Sequence, residues 1–150
     1  PKLISGEEAE NRLLNGAAFL EDLARESYTP EELAVPNQTF TYIVTLSASK
    51  PVVWAYGWCA KGKDVLEQNL KHIQVKFLLE GSPLKDDQLT TYDYTSNGMN
   101  CHLIYVVLDQ WKGGEHHLET QATFTAKIND GTADYEAGTS IFQYTVYVKP

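Results

Sequence analysis

Three absences narrow this sequence before any pattern is sought. No run approaches the roughly 18 apolar residues that a membrane-spanning helix requires, so direct membrane insertion by a helix is not expected of this chain. Positive charge is scarce: 12 Lys and Arg face 20 Asp and Glu, a formal net charge of −8. Nucleic acids and anionic membrane surfaces are bound by an excess of Lys and Arg, so both are excluded as expected partners. The chain also lacks a Gly-x-Ser-x-Gly elbow, a glycine-rich phosphate loop and a His-Glu-x-x-His pair. No catalytic residue is therefore assigned, no cofactor is expected, and a non-enzymatic role is favoured. The first residue is Pro1, which places any signal sequence or lipid-anchor cysteine upstream of it.

What is present points to β structure. The 150 residues suffice for one cored domain and include 9 Tyr and 3 Trp, residues that favour strands. The centre of the pattern is Val52–Ala60, Val-Val-Trp-Ala-Tyr-Gly-Trp-Cys-Ala. Trp54, Tyr56 and Trp58 leave one strand face, and Val53, Ala55, Gly57 and Cys59 the other, because successive strand side chains alternate. Cys59 ends this strand and Cys101 begins another, Cys101–Leu108. Antiparallel pairing would set the two cysteines side by side, so a Cys59–Cys101 disulfide is expected. It would close a loop of roughly 40 residues, worth about 4 kcal/mol by chain entropy. A structural disulfide implies an extracytoplasmic address: secreted, periplasmic or anchored at the cell surface.

Residues 1–38 read differently from the rest and carry five of the eight net negative charges. Ser5-Gly6-Glu7-Glu8 has capping-box spacing, and Leu13, Ala17, Leu20 and Ala24 recur at helical intervals. A helix over about residues 6–26 is expected, packed on the outer face of the sheet near Ala55 and Gly57; a pendant stalk is the alternative. Thr29-Pro30-Glu31-Glu32 predicts a second short helix with Thr29 as its cap, stopped by Pro36-Asn37. From Thr39 onward the period is two, with strands over Phe40–Leu46, Val52–Ala60, Ile73–Leu79, Met99–Leu108, His117–Ile128 and Ser140–Val148. Leu89–Tyr94 is a candidate edge strand. The division expected is a helical segment, 1–38, and a β-sandwich, 39–150.

Gly114-Glu115-His116-His117-Leu118, and Ala137-Gly138-Thr139 followed by Tyr144-Thr145-Val146-Tyr147-Val148, resemble the closing strands of bacterial immunoglobulin-like and fibronectin-III-like modules. The resemblance covers roughly residues 39–150 and implies an antiparallel immunoglobulin-like sandwich of about seven strands. That architecture hosts many unrelated functions.

Three chemistries remain as candidates. Trp54, Tyr56 and Trp58 share a face, the two indoles about 13 Å apart. If exposed they would form a sugar-stacking platform, with Trp111 beside a Gly-rich turn as a separate candidate. Against this, immunoglobulin-like sandwiches usually bury a strand Trp. Asn129, Asp130, Asp134 and Glu136 could offer oxygens to a calcium ion, although Asn129-Asp130-Gly131 is first a turn signal. His116 and His117 are adjacent, face opposite ways and cannot share a metal. The function expected is a non-catalytic extracellular or cell-surface binding or structural module; its ligand is not assigned, with a carbohydrate or a protein as the candidates. A carbohydrate-binding module is the first alternative, and a small secreted hydrolase or metal-dependent protein the second.

Overall fold

The computed structural model describes residues 1–150, and the chain is mainly β. Twelve strands form: β1 (Lys2–Ile4), β2 (Ala18–Phe19), β3 (Thr39–Ser47), β4 (Val52–Ala60), β5 (Ile73–Leu79), β6 (Ser82–Pro83), β7 (Thr90–Ser96), β8 (Met99–Asp109), β9 (Gly114–Phe124), β10 (Ile128–Asn129), β11 (Asp134–Tyr135) and β12 (Gly138–Lys149). Helices are few: α1 (Gly6–Leu14), α2 (Pro30–Leu33) and α3 (Lys63–Leu70). The short strands went unread in the sequence because two or three residues carry no periodicity.

Two five-stranded sheets face each other across one core. In the first, β8 lies between β4 and an edge shared end to end by β1 and β7, and β2 adds to the far side of β4. The second runs β3-β12-β9-β5-β6. The expectation of a wholly antiparallel sandwich is corrected here, because β3 pairs with β12 in parallel and β2 pairs with β4 in parallel. A parallel pair needs a long connection, and the direction of such distant pairing leaves no mark in strand periodicity.

The alternation read from the sequence decides which residues meet. Trp54 and Val52 of β4 and Val106 and Leu108 of β8 face Phe40, Tyr42, Val44, Leu118, Tyr144 and Val146 of the opposing sheet. Trp54 is fully buried, lies edge-on to Phe77 with centroids 4.9 Å apart, and donates its indole N–H to Thr120 Oγ1 at 2.9 Å. Burying one such large apolar side chain contributes roughly 1.5–3 kcal/mol.

β8 is apolar on both faces, and its second face is covered by α1. Ala9 is fully buried there beside Ile4, Val53, Leu103, Tyr105 and Val107. The helix therefore lies on the outer face of the sheet, over β7 and β8 and not over Ala55 and Gly57 of β4 as expected. It is shorter than the helical spacing predicted. Gly16, at φ +84°, takes the left-handed conformation that ends a helix, and Asn15 N–H closes the last turn onto Asn11 O at 3.0 Å. Beyond that stop, Ala18 and Phe19 pair with Val52 and Val53, and Leu20 enters the core. Sheet pairing and burial outweigh the helical spacing of Ala17, Leu20 and Ala24. The Ser5 side chain makes no capping bond; the Gly6 N–H donates instead to Thr90 Oγ1 at 2.8 Å.

The second helix forms as its sequence predicts. Glu32 N–H donates to Thr29 Oγ1, and Thr29 N–H to Glu32 Oε1, both at 3.1 Å, with Pro30 at the first helical position. Between α1 and α2 the chain seals the free edge of β3. Arg25 N–H donates to Ile43 O, Glu26 Oε1 accepts from Ile43 N–H at 2.7 Å, and Tyr28 donates its hydroxyl to Thr41 O. Occupied backbone groups keep that edge from recruiting another strand.

Candidate functional site

The free edge of β4 is treated differently. β2 covers it only at Val52 and Val53. From Trp54 on, the two sheets part around a pocket of about 310 Å³, at the small end of ligand pockets. The opening follows from side-chain size. The inward positions of β9 and β12 on this side include Thr120, Ala122, Gly138 and Ser140, all small, with Ser140 directly opposite Ala122. Small residues on the floor leave space under a wall of large ones.

That wall is aromatic. Tyr56 and Phe142 stand 6.3 Å apart between ring centroids, Trp58 meets Phe124 edge-on at 5.2 Å, and Trp58 meets Tyr135 edge-on at 4.9 Å. Tyr144 stacks on Tyr42 at 4.6 Å and lines the cavity. Pro30, Leu33 and Ala34 of α2 close one side of the mouth. Gly57 borders the space through backbone, since a side chain there would point the other way, towards Leu103 Cδ1 at 3.3 Å.

Trp58 is held by a buried relay. Its indole N–H donates to Asn69 Oδ1 at 3.0 Å, and Asn69, on α3, donates from Nδ2 to Asn129 O at 2.9 Å. A helix, a strand and the β10–β11 turn are thereby locked around one ring. The same corner is tied by Lys61 N–H donating to Asp130 O at 2.7 Å, with Gly131 packed so closely on Lys61 that a side chain there would lie 2.6 Å from Lys61 Cβ.

The polar side chains of the pocket are carboxyls and hydroxyls, with the Trp58 indole N–H already engaged. Burial raises the pKa of Tyr56 far above that of an ordinary phenol. Burial does the same to Tyr144, reinforced by the negative charge of Glu21, by Tyr42 and by Asp22. Both therefore stay protonated. Tyr144 is buried and Tyr56 half-buried, and both line the cavity. Glu21 sits at the mouth, its carboxyl raised above the usual range by desolvation and then by Asp22, and it makes no ion pair. Glu136, the other charged residue of the lining, reaches Lys127 at 3.5 Å.

No protein-family model matches this chain, and no curated protein matches it. Among solved structures it is similar to Plasmodium falciparum protein Pf12p, with a TM-score of 0.39 and 7% identity, over 75% of this chain and 43% of that one. It thus spans less than half the length of Pf12p. It is also similar to PbICP-C, solved in complex with falcipain-2, with a TM-score of 0.40 and 14% identity over 76% and 91% of the two chains. A third is the cysteine protease inhibitor EhICP2 from Entamoeba histolytica, with a TM-score of 0.35 and 8% identity over 76% and 88%. At these scores the likenesses carry no argument about this chain, and the functional reading rests on its own geometry.

The residues singled out in the sequence fall into three groups. Cys59 and Cys101 are directly opposite in the β4–β8 register and form the expected disulfide. Trp54 and Trp111 are 0% and 3% exposed, which removes them as a sugar platform: the indoles are needed to fill the space between sheets. Tyr56 and Trp58 face the same interior but reach the pocket, where the sheets part. The third group, Asn129, Asp130, Asp134 and Glu136, does not converge. Asp130 Oδ1 accepts from the backbone N–H groups of Thr132 and Ala133 and from the Thr132 hydroxyl, and Oδ2 accepts from Tyr135. Asn129 Nδ2 donates to Asp134, and Glu136 faces Lys127. Their oxygens brace the turn instead of pointing at a common centre.

His116 is buried against Trp111 while His117 is exposed, so the two do face opposite ways. Sequence reading missed Glu21, Phe124, Phe142 and Tyr144. The alternation of β12 placed Phe142 and Tyr144 on one face, but only the small residues opposite them show that this face is partly empty.

Proposed function

We propose that this chain is a non-catalytic binding module of an extracytoplasmic compartment, built on an immunoglobulin-like sandwich, that takes its ligand in the pocket between the sheets. One observation carries the reading: an open, aromatic-walled cavity of about 310 Å³ sits where the strand edge beside it is left uncovered, while the equivalent edge of β3 is sealed. Clefts of this size with few polar groups are the usual form of small-ligand sites. The disulfide supports the oxidising address.

A fragment mixture screened against 15N-labelled protein tests this. Amide shifts should cluster at Tyr56, Ala122, Ser140 and Phe142, and should vanish in Ser140→Phe, which fills the floor. Hits that gather elsewhere, or that survive in a folded Ser140→Phe variant, overturn the assignment.

A further inference from the structure

The geometry points to an organic ammonium ion, a cationic nitrogen carried on a small apolar body, as the ligand class of the pocket between the sheets. The inference rests on the proposed binding function and names the chemistry of the same site.

Four features converge. The first is charge: the only charged residues of the lining are Glu21 and Glu136, in a chain of net charge −8. Glu136 already has Lys127 beside it, so Glu21 is the carboxylate left without a counter-charge. Second, the wall consists of ring faces and edges from Tyr56, Trp58, Phe124, Phe142 and Tyr144. Aromatic faces are negative and attract a cation lying within about 6 Å.

The third feature is Tyr144. The residue is buried, lines the cavity and lies within the field of Glu21. A phenol that keeps its proton still offers oxygen lone pairs to an ammonium N–H. The fourth is Tyr56, which lines the cavity from the opposite sheet and offers the same kind of oxygen acceptor. An anion would meet Glu21 with no positive charge in the lining to offset it. A purely apolar ligand would leave the Glu21 carboxylate without a counter-charge. An ammonium ion answers all of these groups at once.

Two probes of equal size decide the matter, 2-phenylethylammonium and neutral 2-phenylethanol, each titrated into the 15N-labelled protein. The cation should bind at the lining residues about tenfold more tightly than the alcohol. That ratio should collapse towards one in Glu21→Gln, whose fold is checked by its unperturbed core amide shifts. Added salt should weaken the cation and leave the alcohol unchanged. If both probes bind the pocket equally, the ammonium inference is wrong and the pocket reading stands. If neither shifts the lining residues, both are wrong. A capped pentapeptide with one central lysine then identifies the source. Binding at least as tight as that of the free amine assigns the ammonium to a partner protein's lysine, and weaker binding assigns it to a free small amine.

Discussion

Trp54 and Thr120 make the hydrogen bond that joins the two sheets at the centre of the core, and its removal can be worked out from both ends. Trp54→Phe takes away the pyrrole half of a fully buried indole and leaves the Thr120 hydroxyl, on a residue 2% exposed, without its donor. The volume lost costs about 2 kcal/mol, below the 3–5 kcal/mol of a full truncation to Ala. The orphaned hydroxyl adds about 1 kcal/mol or more. Thr120→Val keeps shape and leaves the indole N–H unpaired in a dry interior, costing about 1–3 kcal/mol. In the double variant Trp54→Phe/Thr120→Val neither orphan exists. Its loss should therefore fall short of the sum of the single losses by about 1–2 kcal/mol. Urea unfolding followed by circular dichroism, with the disulfide left intact, measures all four corners of the cycle. Losses that add to within about 0.5 kcal/mol would mean the two sheets are not joined by this bond, and the facing of β4 against β9 would lose its central contact.

Three further outcomes follow from the same structure. Replacing Cys59 and Cys101 together by Ala opens a loop of 42 residues and should cost about 4 kcal/mol by chain entropy; a loss under 1 kcal/mol in thermal or urea unfolding would contradict this. Ala9→Leu should cost about 1–3 kcal/mol, because Ala9 is fully enclosed between α1 and the outer face of β8. A pendant helix would show no loss at all. Asp130 sets an acid limit. Burial opposes its ionisation, but the N–H groups of Thr132 and Ala133 and the hydroxyls of Thr132 and Tyr135 outweigh this and hold its pKa below the usual carboxylate range. A depressed folded-state pKa gives stability that is complete above the unfolded value and is lost as pH falls through the folded one. Asp130→Asn should therefore flatten the decline of stability on acidification below about pH 4; an unchanged slope would refute the assignment.

How legible the molecule was in its sequence depended on the range of the interaction. The Thr29 capping box spans four residues and formed as read. The pairing of Cys59 with Cys101 was also readable, because strand alternation and antiparallel order suffice to place the end of one strand beside the start of another. The extent of α1 was misjudged because the Leu13, Ala17, Leu20 spacing was weighed above Asn15-Gly16, a local stop signal that was present all along. The parallel partnership of β3 and β12 could not be read, since each strand's pattern records which face is buried and not which neighbour lies beside it. The pocket was harder still. Tyr56 and Trp58 were visible as candidates, but the cavity exists because of Thr120, Ala122, Gly138 and Ser140, and small residues give no periodic signal.

The position of β12 has a consequence for how the chain is made. This strand lies in the interior of its sheet, between β3 and β9, and pairs Ile141 with Thr39. A chain emerging from the ribosome residue by residue exposes Phe40, Tyr42 and Val44 long before the strand that flanks them exists. The second sheet can close only after residues 138–149 are released, so its folding waits for that strand and is slowed by the long closure. The β4–β8 pair needs none of those residues, and it carries both cysteines. In an oxidising compartment the covalent link can be in place while half of the hydrophobic face still waits for its cover. That interval is when the nascent chain is most exposed to aggregation and most in need of a holding chaperone.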